Sequence, residues 1–363
     1  MCQWRRTLLA IGGLLNATAP MLRYAAVACS GWDPAARYSA VLVSSFVQGA
    51  AFGLIGAWPA TLAALQWPAR RRVVVTAIAS LSNYVGGALG TVAMPLIAST
   101  PSSLLSCFYV QALAGVPLTV GLLAFLSLPL VEVAGGASAL AELRLSCCRR
   151  RSALLVGSFG VAVGVSLALQ GSVQIILEGS GFTALESGVC NTCYQSLAAV
   201  VGVVLGGRIS SVRSLPRTLR ALHLGAGMSY AVLAVLCYIV GSLGRFGLAP
   251  VLAVASSAML GATLLGMLPF LLQLAVHEIG ASETLVSGLV YIVAMGVAAS
   301  LTQLAASVSA LASLATIGVM LLCELRLAAL LLASPVRGST AGGSNDLLSD
   351  SLLESGGVRQ VPP

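Results

Sequence analysis

Apolar and polar positions divide this chain into long blocks. Apolar segments fall at about 7–29, 38–66, 73–97, 104–130, 153–177, 186–207, 219–241, 247–276, 283–304 and 308–333, with short polar stretches between them. Each is near the roughly 20 residues that an α-helix needs to cross a ~30 Å hydrocarbon core, and the longer ones can tilt. The pattern therefore predicts an all-α, polytopic membrane bundle of ten spans. Four spans form an N-terminal part (1–130), a polar loop follows at 131–152, and six more fill 153–333. The tail, 334–363, is rich in Gly and Ser and ends in Val-Pro-Pro, a disordered composition.

One stretch departs from plain apolar blocks. Leu260 to Val276 reads as an apolar helix, His277 to Glu283 as a tight polar turn, and a second helix starts at about Thr284. Pro269 lies inside the first helix and Gly288 near the start of the second. In a bilayer, the backbone groups freed at a proline must find partners in neighbouring helices or in a wet cavity. The stretch is either the wall of a solute path or a packing kink, and the residues alone leave both open.

Composition reinforces the membrane reading. The chain is 58% hydrophobic and 8% charged over 363 residues, with mean hydropathy +0.98. So few charges exclude a water-soluble globular domain. All 19 basic residues are arginine. With the N-terminus on the cytoplasmic side, sixteen of them fall inside and only Arg37 and Arg245 outside, which predicts that both termini are cytoplasmic. The net charge of +8 thus belongs to loops beside a lipid surface. Basic residues are not interleaved with aromatics, so no nucleic-acid partner is expected.

Candidate chemistry is sparse. His223 and His277 have no nucleophile placed by a recognisable motif, so an enzyme is not expected, and no cofactor is assigned. Cys190-Asn191-Thr192-Cys193 has redox or metal spacing but lacks a second pair, so no metal is assigned either. Cys147-Cys148 before Arg149 could carry palmitate at a membrane surface or stay unmodified.

Polar groups inside the spans are the candidates for a substrate path. Arg23 is the sharpest, because a mid-membrane charge should face a partner or water; the alternative is that it snorkels to the interface. Asn83 and Tyr84 lie mid-helix beside Gly86 and Gly90, and either line a cavity or bond another helix. Gln170 and Gln174 share a helical face, and Tyr194 and Gln195 follow in the next span. Tyr291 is a further mid-span aromatic. Gly49/Gly53, Gly86/Gly90, Gly160/Gly164 and Gly202/Gly206 have the spacing that permits close helix approach.

A family resemblance runs through these segments. Gly266-Met267-Leu268-Pro269, Ala275-Val276, Glu278-Ile279, Glu283 and Ser287-Gly288-Leu289 resemble the tenth and eleventh helices of a major-facilitator subgroup, the feline leukaemia virus subgroup C receptor-related transporters. Asn16 with Arg23, Pro59 with Ala63-Ala64 and Trp67, and Asn83-Tyr84-Val85-Gly86 with Gly90 and Pro95 resemble its third, fourth and fifth helices. Gly207-Arg208 through Arg220 falls at its loop between helices eight and nine. The likeness covers roughly Ile11 to Gln303. The family's Thr-Tyr-Pro after Glu-Ile is missing, its first two helices have no counterpart, and Met295 falls where a cavity glutamine is expected.

The resemblance implies a major-facilitator bundle that moves a small organic solute, haem or a choline-like amine, by alternating access, with membrane lipid as its surroundings. A non-transporting receptor or scaffold derived from such a bundle is the alternative. Between the two solutes, the few mid-span aromatics and the arginine at 23 favour an anionic or amphipathic solute such as haem.

Overall fold

The computed structural model describes residues 2–29, 31–56, 58, 63, 67, 69–97, 100–127, 150–209, 214–279 and 283–333. The loop expected at 131–152, apart from its last residues, and the tail from Ser334 lie outside the described residues, as do Pro59 and most of 57–68. The described elements are helical: α1 (Cys2–Ala28), α2 (Pro34–Gly56), α3 (Ala69–Ile97), α4 (Pro101–Ser127), α5 (Arg150–Gly179), α6 (Ala184–Arg208), α7 (Leu215–Leu243), α8 (Ala249–Leu260), α9 (Leu268–Ile279), α10 (Glu283–Ser307) and α11 (Ala310–Ala333). A π-helical turn, Gly261–Leu265, joins α8 to α9, so these two form one broken helix, and the described residues form ten long helices in all.

By length and hydropathy, six described stretches qualify as membrane crossings: Leu105–Ala124, Ser152–Gly179, Ala184–Arg208, Leu215–Leu243, Ala249–Ile279 and Leu285–Ser307. The chain is an all-α, multi-pass integral membrane bundle.

α5 is the central pillar. α10 lies along one side of it, where Gly160 and Gly164 permit close approach. A Cβ at Gly164 would sit 2.7 Å from Val297 Cβ and 2.8 Å from the Ala294 carbonyl oxygen. This glycine pair is a packing face, as its spacing suggests. Gly202 of α6 does the same for α3, its Cβ position lying 2.2 Å from Leu81 Cδ1. Gly86, Gly90 and Gly49 behave differently: nothing approaches within 4 Å of their Cβ positions, so these spacings form open faces rather than contacts.

α3 precedes the long loop in sequence but packs with the helices that follow it. Its buried stripe Ala77, Leu81, Tyr84, Ala88 has the i, i+4, i+7, i+11 spacing of one helical face. Ala77, Leu81 and Tyr84 share one continuous buried core with α5 to α11. α1, α2 and α4 form a separate group around Leu9 and Trp58. There the Thr119 hydroxyl donates to the Gly13 carbonyl at 3.0 Å, and Gly115 brings α4 against Ala17 of α1. α2 reaches the larger group through Phe52, whose ring meets Tyr291 of α10 edge-on at 5.9 Å.

Local sequence explains the helix ends that matter here. Thr183 and Glu186 close a capping box at the start of α6, and Glu186 also pairs with Arg245 from the segment between α7 and α8. The broken span has two causes. Pro269 has no N–H to return to Leu265, and it sits in the first turn of α9, where that loss costs little. Gly266 instead donates to Gly261 at 3.0 Å, an i→i−5 bond that accommodates an extra residue.

Candidate functional site

Where α3, α5 and α6 meet, three side-chain amides close a ring. Gln170 of α5 donates through Nε2 to Gln195 Oε1 of α6 at 2.9 Å. Gln195 donates to Asn191 Oδ1 one helical turn earlier at 3.2 Å, and Asn191 Nδ2 donates back to the Gln170 backbone carbonyl at 3.1 Å. Gln195 and Asn191 are buried, and Gln170 is half-buried. Gly87 of α3 makes room for the ring: a Cβ there would lie 2.1 Å from Gln195 Oε1 and 3.2 Å from Gln170 Nε2.

A layer of hydroxyls surrounds these amides. The buried Tyr194 hydroxyl donates to the Ser166 carbonyl at 3.0 Å, tying α6 to α5. Thr91 and Thr192 share a hydrogen bond of 3.0 Å between α3 and α6. Tyr84 of α3 is buried within electrostatic reach of both Tyr194 and Tyr291, so three helices contribute a tyrosine to one region. The backbone of α6 is itself approached closely. A Cβ on Gly261, at the π-turn, would fall 1.8 Å from the Tyr194 carbonyl oxygen, a contact that only glycine allows.

The structure thus brings Tyr84, Gln170, Tyr194, Gln195 and Tyr291 together and leaves the other candidates apart. Gln174 bonds Glu178 on its own helix at 2.9 Å. Asn83 is exposed, on the same open side of α3 as Gly86 and Gly90. Met295 is half-buried and packs on the edge of the main core. Arg23 belongs to the other group of helices: it donates to Ser44 Oγ at 3.3 Å, Ser45 Oγ at 3.5 Å and Gln48 Oε1 at 3.1 Å, all on α2. Its guanidinium carbon lies 5.8 Å from the centre of the Phe108 ring of α4.

Sequence reasoning missed Asn191 and Gly87. Asn191 stands four residues before Gln195, a spacing that puts two amides on one face, but the flanking Cys190 and Cys193 drew the eye to metal spacing. Among the described residues, no group of His, Cys, Asp or Glu is arranged to hold a metal ion. Gly87 lay between two glycines already noted for their spacing.

The ring is neutral, internally hydrogen-bonded and placed inside spans. It can exchange hydrogen bonds with a polar group entering between the helices, and it offers no nucleophile or strong base.

No family model matches the sequence, and no curated protein matches it. Among solved structures, the chain is similar to the crystal structure of the human organic anion transporter MFSD10 (TETRAN), with a TM-score of 0.52 and 19% identity over 89% of this chain and 81% of that one. The chain shares its fold with that structure. In a helical membrane bundle the interior between helices is the place for polar side chains, since a polar group facing lipid has no partner. The amide ring sits in that interior.

Proposed function

We propose that this chain moves a small organic solute across a membrane by alternating access. The observation that carries the reading is the amide ring of Gln170, Asn191 and Gln195 inside the spans of a major-facilitator fold. Polar groups are expensive at that depth and are kept there when they serve a path or a partner. The moving boundary we infer runs between α1, α2 and α4 on one side and α3 with α5 to α11 on the other. Among the described residues, contacts that bridge it include Phe52 on Tyr291 and a slight touch of α4 on α3. α3 itself is bonded to the larger group through Thr91 to Thr192 and through Gln273, which donates to Thr76 at 3.3 Å.

Within small organic solutes, an amphipathic anion such as haem ranks above a choline-like amine. A quaternary amine needs open aromatic faces to replace its lost hydration. Tyr84, Tyr194 and Tyr291 are 2%, 0% and 6% exposed, so their rings are engaged in packing. The name of the structural neighbour, an organic anion transporter, agrees with this order.

Purified protein reconstituted in liposomes tests the reading through uptake of labelled haem and labelled choline. Haem flux that falls with Gln170→Leu is the expected result. Choline flux without haem flux reverses the order, and flux of neither supports the receptor or scaffold instead.

A further inference from the structure

Arg23 stands outside the amide ring and has a chemistry of its own. It lies five residues from the Ala28 end of α1, roughly 7 Å along the helix axis. The groups that accept from it are two hydroxyls and a side-chain amide, all neutral, and they take Nε and Nη2. The ring of Phe108 lies nearby at 5.8 Å. Among the described residues no carboxylate pairs with this guanidinium, and both N–H bonds of Nη1 are uncommitted. The side chain is half-buried, so it remains open on one side.

A guanidinium held near a helix end by neutral groups alone keeps a positive charge that no protein carboxylate compensates. Ser44 accepts from Nε, and Ser45 and Gln48 both accept from Nη2, so two of the three nitrogens of the fork are held. A fixed, planar, uncompensated guanidinium with free N–H bonds is complementary to two oxygens of an oxyacid group. We infer that Arg23, oriented by Ser44, Ser45 and Gln48, binds an anionic oxyacid group, the carboxylate of an amphipathic solute or the phosphate of a lipid headgroup. Phe108 lies beside the guanidinium and offers an apolar surface to the body of the same ligand. This deepens the transport reading, on which it rests for the solute source only; the anion site itself needs no transport.

The test uses the full chain in nanodiscs of phosphatidylcholine, with empty discs subtracted. The probes are labelled octanoate and its neutral isostere octanol. Wild type binds octanoate in preference to octanol. Arg23→Gln, which keeps a polar group but no charge, weakens octanoate binding by about tenfold or more, the scale of a lost charge-assisted pair. Arg23→Lys retains charge but not the fork, and weakens it by about threefold. Octanol binding does not change with either variant.

Adding phosphatidylglycerol to the discs separates the two sources. Displacement of octanoate from wild type identifies a lipid headgroup as the competing occupant, and indifference identifies a solute anion; both support the site. Equal octanoate binding by wild type and Arg23→Gln overturns the proposal. Because Arg23→Gln can fail to fold, wild type alone is also decisive: no preference for octanoate over octanol overturns it. Octanoate binding without any flux of octanoate across liposomes leaves the anion site standing and removes the transport reading.

Discussion

The helices α5 to α11, with α3 among them, share one buried core that runs from Ala77 to Leu321, whereas α1, α2 and α4 meet around Leu9 and Trp58. The larger group is joined by close backbone approaches at Gly160, Gly164, Gly202 and Gly261, and by the amide ring. The smaller one is joined by the fan of bonds from Arg23, the Thr119–Gly13 bond and the packing of α1 against α2 and α4. Its outer residues include Phe46, Leu118 and Tyr38, each about two-thirds exposed or more. In water that would be a defect. In lipid it is not, because acyl chains are as apolar as the side chains, and association there depends on close packing and interhelical hydrogen bonds. The difference teaches that helices in a bilayer can be joined through close backbone approaches in one group and through side-chain hydrogen bonds in another, without any change in hydrophobicity.

The sharpest way to break the comparison is to fix the boundary between the groups. In a variant freed of its native cysteines, Phe52→Cys with Tyr291→Cys joined by a bifunctional thiol reagent should abolish flux. Thr91→Cys with Thr192→Cys, which links α3 to a neighbour in its own group, should leave flux largely intact. Equal inhibition by the two links would show that α3 moves with α1, α2 and α4.

Next in size is the packing of the larger group. Gly261→Ala places a carbon 1.8 Å from a backbone oxygen that cannot swing away, and should cost about 3 kcal/mol or more. Gly86→Ala meets nothing within 4 Å and should be neutral within about 0.5 kcal/mol. Thermal midpoints of the two purified variants, in the same detergent, check the contrast. A Gly261→Ala protein as stable as wild type would mean that the π-turn is not pressed against α6.

The amide ring comes third. Gln195→Leu strands the Gln170 amide donor and the Asn191 acceptor, at a cost of about 1–3 kcal/mol for each buried group left unpaired, and should lower flux per molecule. Gln174→Leu loses only a bond to the exposed Glu178 and should change flux little. The smallest expected effect is Thr119→Val in the lesser group: one interhelical bond in a membrane averages about 0.6 kcal/mol, so its midpoint should fall only slightly.

The spans were readable because a run of apolar residues long enough to cross a bilayer has few other uses. The break near Pro269 was readable in part: a residue without an N–H weakens a helix, although Pro20 and Pro117 lie inside unbroken ones. Which form the break takes was not readable. The need for glycine at 261 comes from the Tyr194 carbonyl, 67 positions earlier in the chain, and the pattern of one segment carries no record of a neighbour's backbone. The site divides in the same way. Gln170 and Gln195 stood out as amides in apolar helices, and a buried amide must have a partner. That they are each other's partner, that Asn191 completes the ring and that Gly87 admits it are facts of helix placement. Arg23 is the mirror case: its need for partners was evident, but Ser44, Ser45 and Gln48 carried no signal until α2 was laid beside α1.

The π-turn at Gly261–Leu265 has a consequence for bearing as well as for packing. One surplus residue in a helix turns everything beyond it by about 100° about the axis. α9 therefore faces its neighbours with a side that an unbroken helix would have aimed elsewhere, and Gln273 reaches Thr76 of α3 because of that offset. Deleting one residue from the turn would leave the sequence of α9 unchanged while rotating Gln273 away from Thr76 and carrying a different stripe toward α3. The turn acts as an angular setting, by which a single inserted residue decides which face of the following segment is presented to its neighbours.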